Sequence, residues 1–269
     1  MNRLRHLLCL AGLTTALFAH ECWLQPSDFS PTPDREVRLG LRVGMELKGE
    51  PREFTAQRVS ALRHYSAAGR ADWTSRATGQ PELPFTLATP GTHVLAYDST
   101  PSLITLEADK FHDYLREEGL DPIISLREKT GETTKPGRER YRRCNKTILQ
   151  VGGQTDATWA VRTGQQLEIV PLADPAAVRP GSTLRFAVLF AGRPVADALV
   201  LAWHRQGEKL TTMKIRSSSA GEATFTLPAA GMWMISTVHM ARTVNDPEAD
   251  WASYWGNLTF SVTSAPKAP

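Results

Sequence analysis

The densest concentration of reactive side chains is HECWLQP, residues 20–26, which follows a short apolar run. An internal histidine offers a metal one imidazole nitrogen. A histidine at a chain end also offers its α-amine, and amine and ring Nδ1 together close a six-membered chelate ring around one ion. One more imidazole from a distant strand would complete a flat three-nitrogen set, a geometry that favours Cu(II) or Ni(II). The amine titrates near about 7.7–8, so protons compete with the metal at neutral pH. Glu21 is placed to add an axial oxygen.

This chemistry requires His20 to become a chain end. Arg3 and Arg5 supply a positive start, Leu7 to Phe18 an apolar centre and Ala19 a small residue before the cut. Residues 1–19 therefore read as a cleavable signal peptide, with a periplasmic or secreted product. A run this short falls below the roughly 20 residues that a bilayer span needs. No second apolar stretch is long enough, so no membrane insertion is expected after cleavage. The chain carries 31 Lys and Arg against 28 Asp and Glu. Losing Arg3 and Arg5 leaves it almost neutral, which gives no electrostatic case for nucleic acid or an anionic membrane surface.

Of the histidines, His20, His64, His93, His112, His204 and His239 remain after the leader. None forms a close HxH or HxxxH pair, so a metal site must be assembled by tertiary contacts. His239, in MISTVHMARTV, is the first choice to join His20. It also shares a strand face with Trp233, Ile235 and Thr237, so a buried structural histidine fits equally well. His204, at the end of ALVLAWHRQ, is the second choice. His112 follows Asp109 by three positions on one helix face, and His64 and His93 read as surface residues. Cys22 and Cys144 are left as a pair, expected to form a disulfide in an oxidising compartment; the competing reading makes Cys22 a soft metal ligand. Asp246, Glu248 and Asp250 read as a solvated loop. Trp251, Tyr254 and Trp255 could stack on a sugar, but their spacing favours core packing.

Strand signals dominate the elements that must position these groups. EVRLGLRVG (36–44) alternates apolar and polar residues with period two, and RVSALRHY, LPFTLATPGTHVLAYDS and SLITLEA follow between Gly, Pro and Ser breaks. One segment departs from this. In EADKFHDYLREEGL, Asp109 is a candidate N-cap, Phe111, Tyr114 and Leu115 share a face, and Gly119 sits at the C-cap. Its exposed face is expected to hold Arg116, Glu117 and Glu118, and a second helical stretch runs from Pro122 to Lys129. The expected fold is mainly all-β: two antiparallel β-sandwich domains, immunoglobulin-like or transthyretin-like, with a short helical insertion in the first. The first domain covers 20–163 with the insertion around 108–130, the second covers 164–263, and 264–269 form a disordered tail.

The stretches HECWLQP, GTHVLAYDSTPSLITLEADKFHDYLREEGL and GRERYRRCNKTILQVGG, with LEIVPLADP, AGRPVADALV, GMWMISTVHM and DWASYWGNLTF further on, make the chain similar to the DUF4198 family. The resemblance covers nearly the whole mature chain, and YLREEGL and SYWGNLTF are its most specific parts. It implies an exported β-sandwich protein, often described as linked to nickel or cobalt uptake. His20, Trp23 and Leu24 match the family's H-x-x-W-L opening, His239 its VHM segment and Cys144 its Y-x-R-C-x-K stretch. The expected cargo is a divalent transition metal (Ni, Co or Cu), captured or delivered without turnover, with a membrane metal importer or an outer-membrane receptor as partner. Two other readings remain open: a copper-dependent oxidase using the same histidine, and a metal-free envelope adhesion or interaction module. No nucleotide-binding loop, HExxH, GxSxG or paired CxxC is present.

Overall fold

A computed structural model of the protein describes residues 20–264. The expected leader (1–19) and the tail beyond 264 lie outside the described residues. The chain opens with β1 (Glu21–Pro26), β2 (Val37–Met45), β3 (Lys48–Arg52), β4 (Val59–Ser66), β5 (Gly69–Asp72), β6 (Glu82–Phe85) and β7 (Gly91–Ser99). Next come β8 (Ser102–Leu106), helices α1 (Ala108–Glu117) and α2 (Asp121–Lys129), and the long β9 (Gly137–Val151). The remainder is β10 (Leu167–Pro171), β11 (Ser182–Phe190), β12 (Arg193–Pro194) and β13 (Leu199–Gln206). It ends with β14 (Lys209–Arg216), β15 (Glu222–Leu227), β16 (Gly231–Arg242) and β17 (Trp251–Val262).

A nine-stranded sheet forms the middle layer, ordered β14-β13-β16-β17-β9-β7-β4-β5, with β8 also paired to β9. On one face lies a four-stranded sheet, β1-β2-β3 with β6 on β2. It closes a core in which Leu24, Leu39 and Phe85 meet Leu62, Leu95 and Leu149. The helices cover the same face further along, where Phe111, Tyr114 and Leu115 pack on Val238, Met240, Trp251 and Trp255. The second four-stranded sheet, β10-β11-β12 with β15 on β11, covers the opposite face. There Phe186, Val188 and Phe225 meet Trp233, Ile235, Leu258 and Phe260. The fold is thus a mostly-β sandwich architecture with two helices, as its strand periodicity predicts.

Strands from both halves of the chain share the middle sheet. β9 and β17 join them, and they run parallel, Glu139 opposite Trp251 and Thr147 opposite Thr259. Every other named strand pair is antiparallel. A parallel pair needs a long crossover, and here that crossover contains β10 to β16.

The helix boundaries follow local chemistry with one change. Glu107, not Asp109, occupies the N-cap of α1, and no side chain caps it. Asp109 falls inside the first turn, where its carboxylate accepts from the Lys110 N–H at 2.8 Å and complements the helix dipole. Gly119 takes the left-handed conformation (φ 64°) that ends the helix. Among the described residues, no helix is long and apolar enough to cross a membrane.

Candidate functional site at the start of β1

β1 is an edge strand, and edge strands leave a row of backbone groups without partners. Here the middle sheet supplies them from its side chains. Asn257 Nδ2 donates to the Cys22 carbonyl, and Thr259 Oγ1 donates to the Leu24 carbonyl at 2.7 Å. Just before the strand, Arg143 Nη2 donates to the His20 carbonyl at 2.8 Å. The Arg143 guanidinium lies 4.4 Å over the Trp255 ring and 5.3 Å from the Tyr141 ring centre. The parallel register places Arg143 directly opposite Trp255, so β9 and β17 together fix this cation beside His20.

Two carboxylates meet there. Burial pushes Glu21 above the usual carboxylate range, opposed by the Arg143 charge and by hydrogen bonding with Ser236 and Asn257. Glu118, one residue past α1, is pushed up to about 8, first by burial and then by the Glu21 charge; Arg143 and Lys214 act against this, while Glu117 adds to it. An acid whose neighbour's charge raises its proton affinity ionises beside it only at a cost, and a nearby cation lowers that cost. Deeper under Trp255 lies Glu139, 3% exposed. It accepts from Tyr114 Oη at 3.2 Å and from Ser253 Oγ, and burial raises it too.

The expected third ligands are elsewhere. Along β16, Trp233 and Ile235 belong to the core under the β10–β11 sheet, while Val238 and Met240 belong to the core under the helices. Alternation puts His239 with the first group. Its ring lies 4.1 Å from Phe190, and burial holds it below the usual histidine range. His204 faces the same way, stacked 4.7 Å from Trp233, with Nε2 2.9 Å from the Ala230 carbonyl. His20 and Glu21 meet the other face of the middle sheet, so neither His239 nor His204 joins them. A period of two along the strand separates them.

The same parity corrects the disulfide. Both cysteines are free and buried. Cys144 packs with Val94 and Ile148 under the β10–β11 sheet, and Cys22 packs with Leu24 and Leu149 on the opposite side. Burial pushes the Cys144 thiol up to about 12 and raises that of Cys22 as well.

His64 and His93 also depart from the surface reading. His93 is 3% exposed, and its Nδ1 lies 2.8 Å from His64 Nε2. The ring planes differ by 3° with centroids 5.1 Å apart, the geometry of two rings edge to edge in one plane. His93 Nε2 faces the Thr89 carbonyl at 2.9 Å. One consistent chain of donors follows: His93 Nε2–H to Thr89, and His64 Nε2–H to His93 Nδ1. The lone pair and the N–H point at each other, so they do not converge on a metal.

The acidic loop is tied down: Arg140 pairs with Asp246 and Glu248, and Arg138 with Asp250. Trp251 and Trp255 are core residues, as their spacing predicts. Among the described residues, no three His, Cys, Asp or Glu side chains stand ready-made as a metal set. Sequence reasoning missed Glu118 and Arg143. Glu118 carried a signal, because an acid at the C-terminal end of a helix opposes the macrodipole. Arg143 carried none, since only the β9–β17 pairing brings it to β1.

A family model described as "Domain of unknown function (DUF4198)" matches residues 17–241. No curated protein matches the chain. Among solved structures, one of carbohydrate-binding modules from the β-sandwich superfamily is similar at 11% identity and a TM-score of 0.23, over 92% of this chain and 93% of that one. The three N-terminal domains of the bacteriophage RB49 highly immunogenic outer capsid protein (Hoc) match at 7% identity, TM-score 0.21, over 91% and 71%. A tetra-tandem repeat from the extending region of a large adhesion protein matches at 12% identity, TM-score 0.21, over 90% and 49%.

Proposed function

Given that the chain belongs to the DUF4198 family, we propose that it is an exported, periplasmic metal-binding protein that captures a divalent transition metal at the start of β1 and delivers it to a membrane importer or an outer-membrane receptor. Cleavage after Ala19 would free the His20 amine, and amine and ring would chelate nickel, cobalt or copper. Glu21 keeps the role first given to it, and Glu118 takes the place first given to His239 or His204. Two nitrogens with two carboxylates form a mixed donor set that suits Ni(II) and Co(II) as well as Cu(II).

The observation that supports this reading is the charge of Glu21, next to His20 in the chain, acting on Glu118, which holds its proton to about 8. Such a pair is poised to exchange a proton for a metal. The test is calorimetric titration of Ni(II), Co(II) and Cu(II) into the chain beginning at His20, into a version extended by one residue at its amino end, and into Glu118→Gln. Binding is expected to weaken at least about tenfold in both altered forms. Equal affinity in all three forms rejects the reading.

A further inference from the structure

A cavity of about 250 Å³ opens beside the start of β1, between the β1–β3 sheet and the loop that leads from β7 to β8. Arg52, Arg58 and Arg143 line it, and no Asp or Glu does. Several guanidiniums elsewhere find acids: Arg42, Arg63, Arg138, Arg140 and Arg216 each pair with a carboxylate. None of the three cavity arginines has a carboxylate within ion-pair distance among the described residues. Arg143 Nη1 is buried and has no acceptor among the described residues. A buried N–H of a charged group left without an acceptor costs more than a neutral one would, and an anion in the cavity would supply the acceptor. The three charges also act together on the groups at the floor: Arg143 and Arg52 lower the Cys22 thiol, and Arg143 and Arg58 lower the Tyr97 hydroxyl, against the larger effect of burial.

The remaining wall narrows the ligand class. Leu41 and Val43 line one part, Tyr97 and Tyr141 another. A bare phosphate or sulfate would leave that apolar surface without a partner. An anion with a short carbon skeleton would cover it while presenting oxygens to the forked guanidiniums, which match carboxylates two bonds at a time. We propose that this cavity binds a small organic anion carrying two or three carboxylates. The cavity shares Arg143 with the surroundings of His20, but Arg52 and Arg58 belong to the cavity without being among the proposed metal ligands, so their substitution tests it apart from metal capture.

Tricarballylate is the probe of choice, because it carries three carboxylates without the hydroxyl that makes citrate a strong chelator. It is titrated calorimetrically into the folded chain beginning at His20, in metal-stripped buffer of low ionic strength, since salt screens exposed guanidiniums. Inorganic phosphate forms the second arm. Saturable one-to-one binding of tricarballylate is expected, with phosphate at least about tenfold weaker. Arg52→Gln and Arg58→Gln, both at exposed positions, are each expected to weaken tricarballylate binding about tenfold while leaving the melting temperature and the Ni(II) affinity unchanged. Absence of saturable binding, equal affinity in both variants, or phosphate binding as tightly as tricarballylate would overturn the proposal.

Discussion

Asn145, not Cys144, is the β9 side chain that meets Cys22: its amide lies 3.4 Å from the sulfur. One step along a strand turns a side chain through the sheet, so the neighbouring thiol points into a different core. Both thiols are expected to react with a disulfide reagent only after denaturation, and a reductant should leave the melting temperature unchanged. Intact mass after alkylation under denaturing, non-reducing conditions checks this. A mass showing neither Cys22 nor Cys144 alkylated would contradict it.

Glu118 predicts an unusual pH dependence. Its folded-state value is about 8 against an ordinary 4.5, because of burial and the charge of Glu21. Between those values the folded chain holds more protons than the unfolded one, so stability falls as pH rises through the window. Glu118→Gln should flatten that decline and gain on the order of 1–2 kcal/mol at pH 8, less than the full linkage value because solvent reaches the group. Urea unfolding of both proteins at pH 5 and pH 8 measures the difference; parallel profiles would show that Glu118 ionises normally.

Among the described residues, Lys146 and Glu168 form the most buried ion pair, 2.9 Å apart with side chains 2% and 3% exposed. Glu168 also accepts from the Thr163 N–H at 2.6 Å and its hydroxyl at 2.9 Å, tying the segment before β10 to β9. Lys146→Met strands a buried carboxylate and should cost roughly 3–5 kcal/mol, whereas Lys146→Met with Glu168→Leu should cost much less. Chemical denaturation of the two variants decides. An equal loss in both would mean that the pair is not acting as a unit.

The coplanar His64–His93 contact makes a spectroscopic prediction. Burial, then the charges of His93 and Arg76, lowers His64 to about 4. A histidine depressed in the folded state adds stability above its unfolded value, near 6.5, and that stability is lost as pH falls toward 4. Nitrogen-correlated NMR at pH 5.5 should show His64 neutral, with its proton on Nε2. A ring that titrates near 6.5 would contradict the hydrogen-bonded geometry.

Much of this architecture was legible because it is local. The alternation in EVRLGLRVG becomes β2, and the stripe of Phe111, Tyr114 and Leu115 becomes the buried face of α1. His239 does share a face with Trp233 and Ile235, as its spacing required. What the sequence could not reveal was which side of the middle sheet each face would meet. That depends on the β9–β17 pairing, which links distant parts of the chain, and parity then separates His20 from His239 and Cys22 from Cys144. Glu118 looked like a solvated helix residue because only its packing past the last turn of α1 makes it half-buried. Arg143 stood in an arginine-rich stretch, YRRC, whose members differ only in the face they take.

The central place of β17 has a consequence for biosynthesis. Of the described strands it is the last to be made, yet it fills the gap between β9 and β16 and supplies the side chains that hold β1. Until it arrives, the early strands wait with an open edge, a template for pairing with other chains. A polypeptide cut short before Trp251 would therefore lose the seam that unites its two ends, and it should accumulate as aggregate, not as a smaller folded protein.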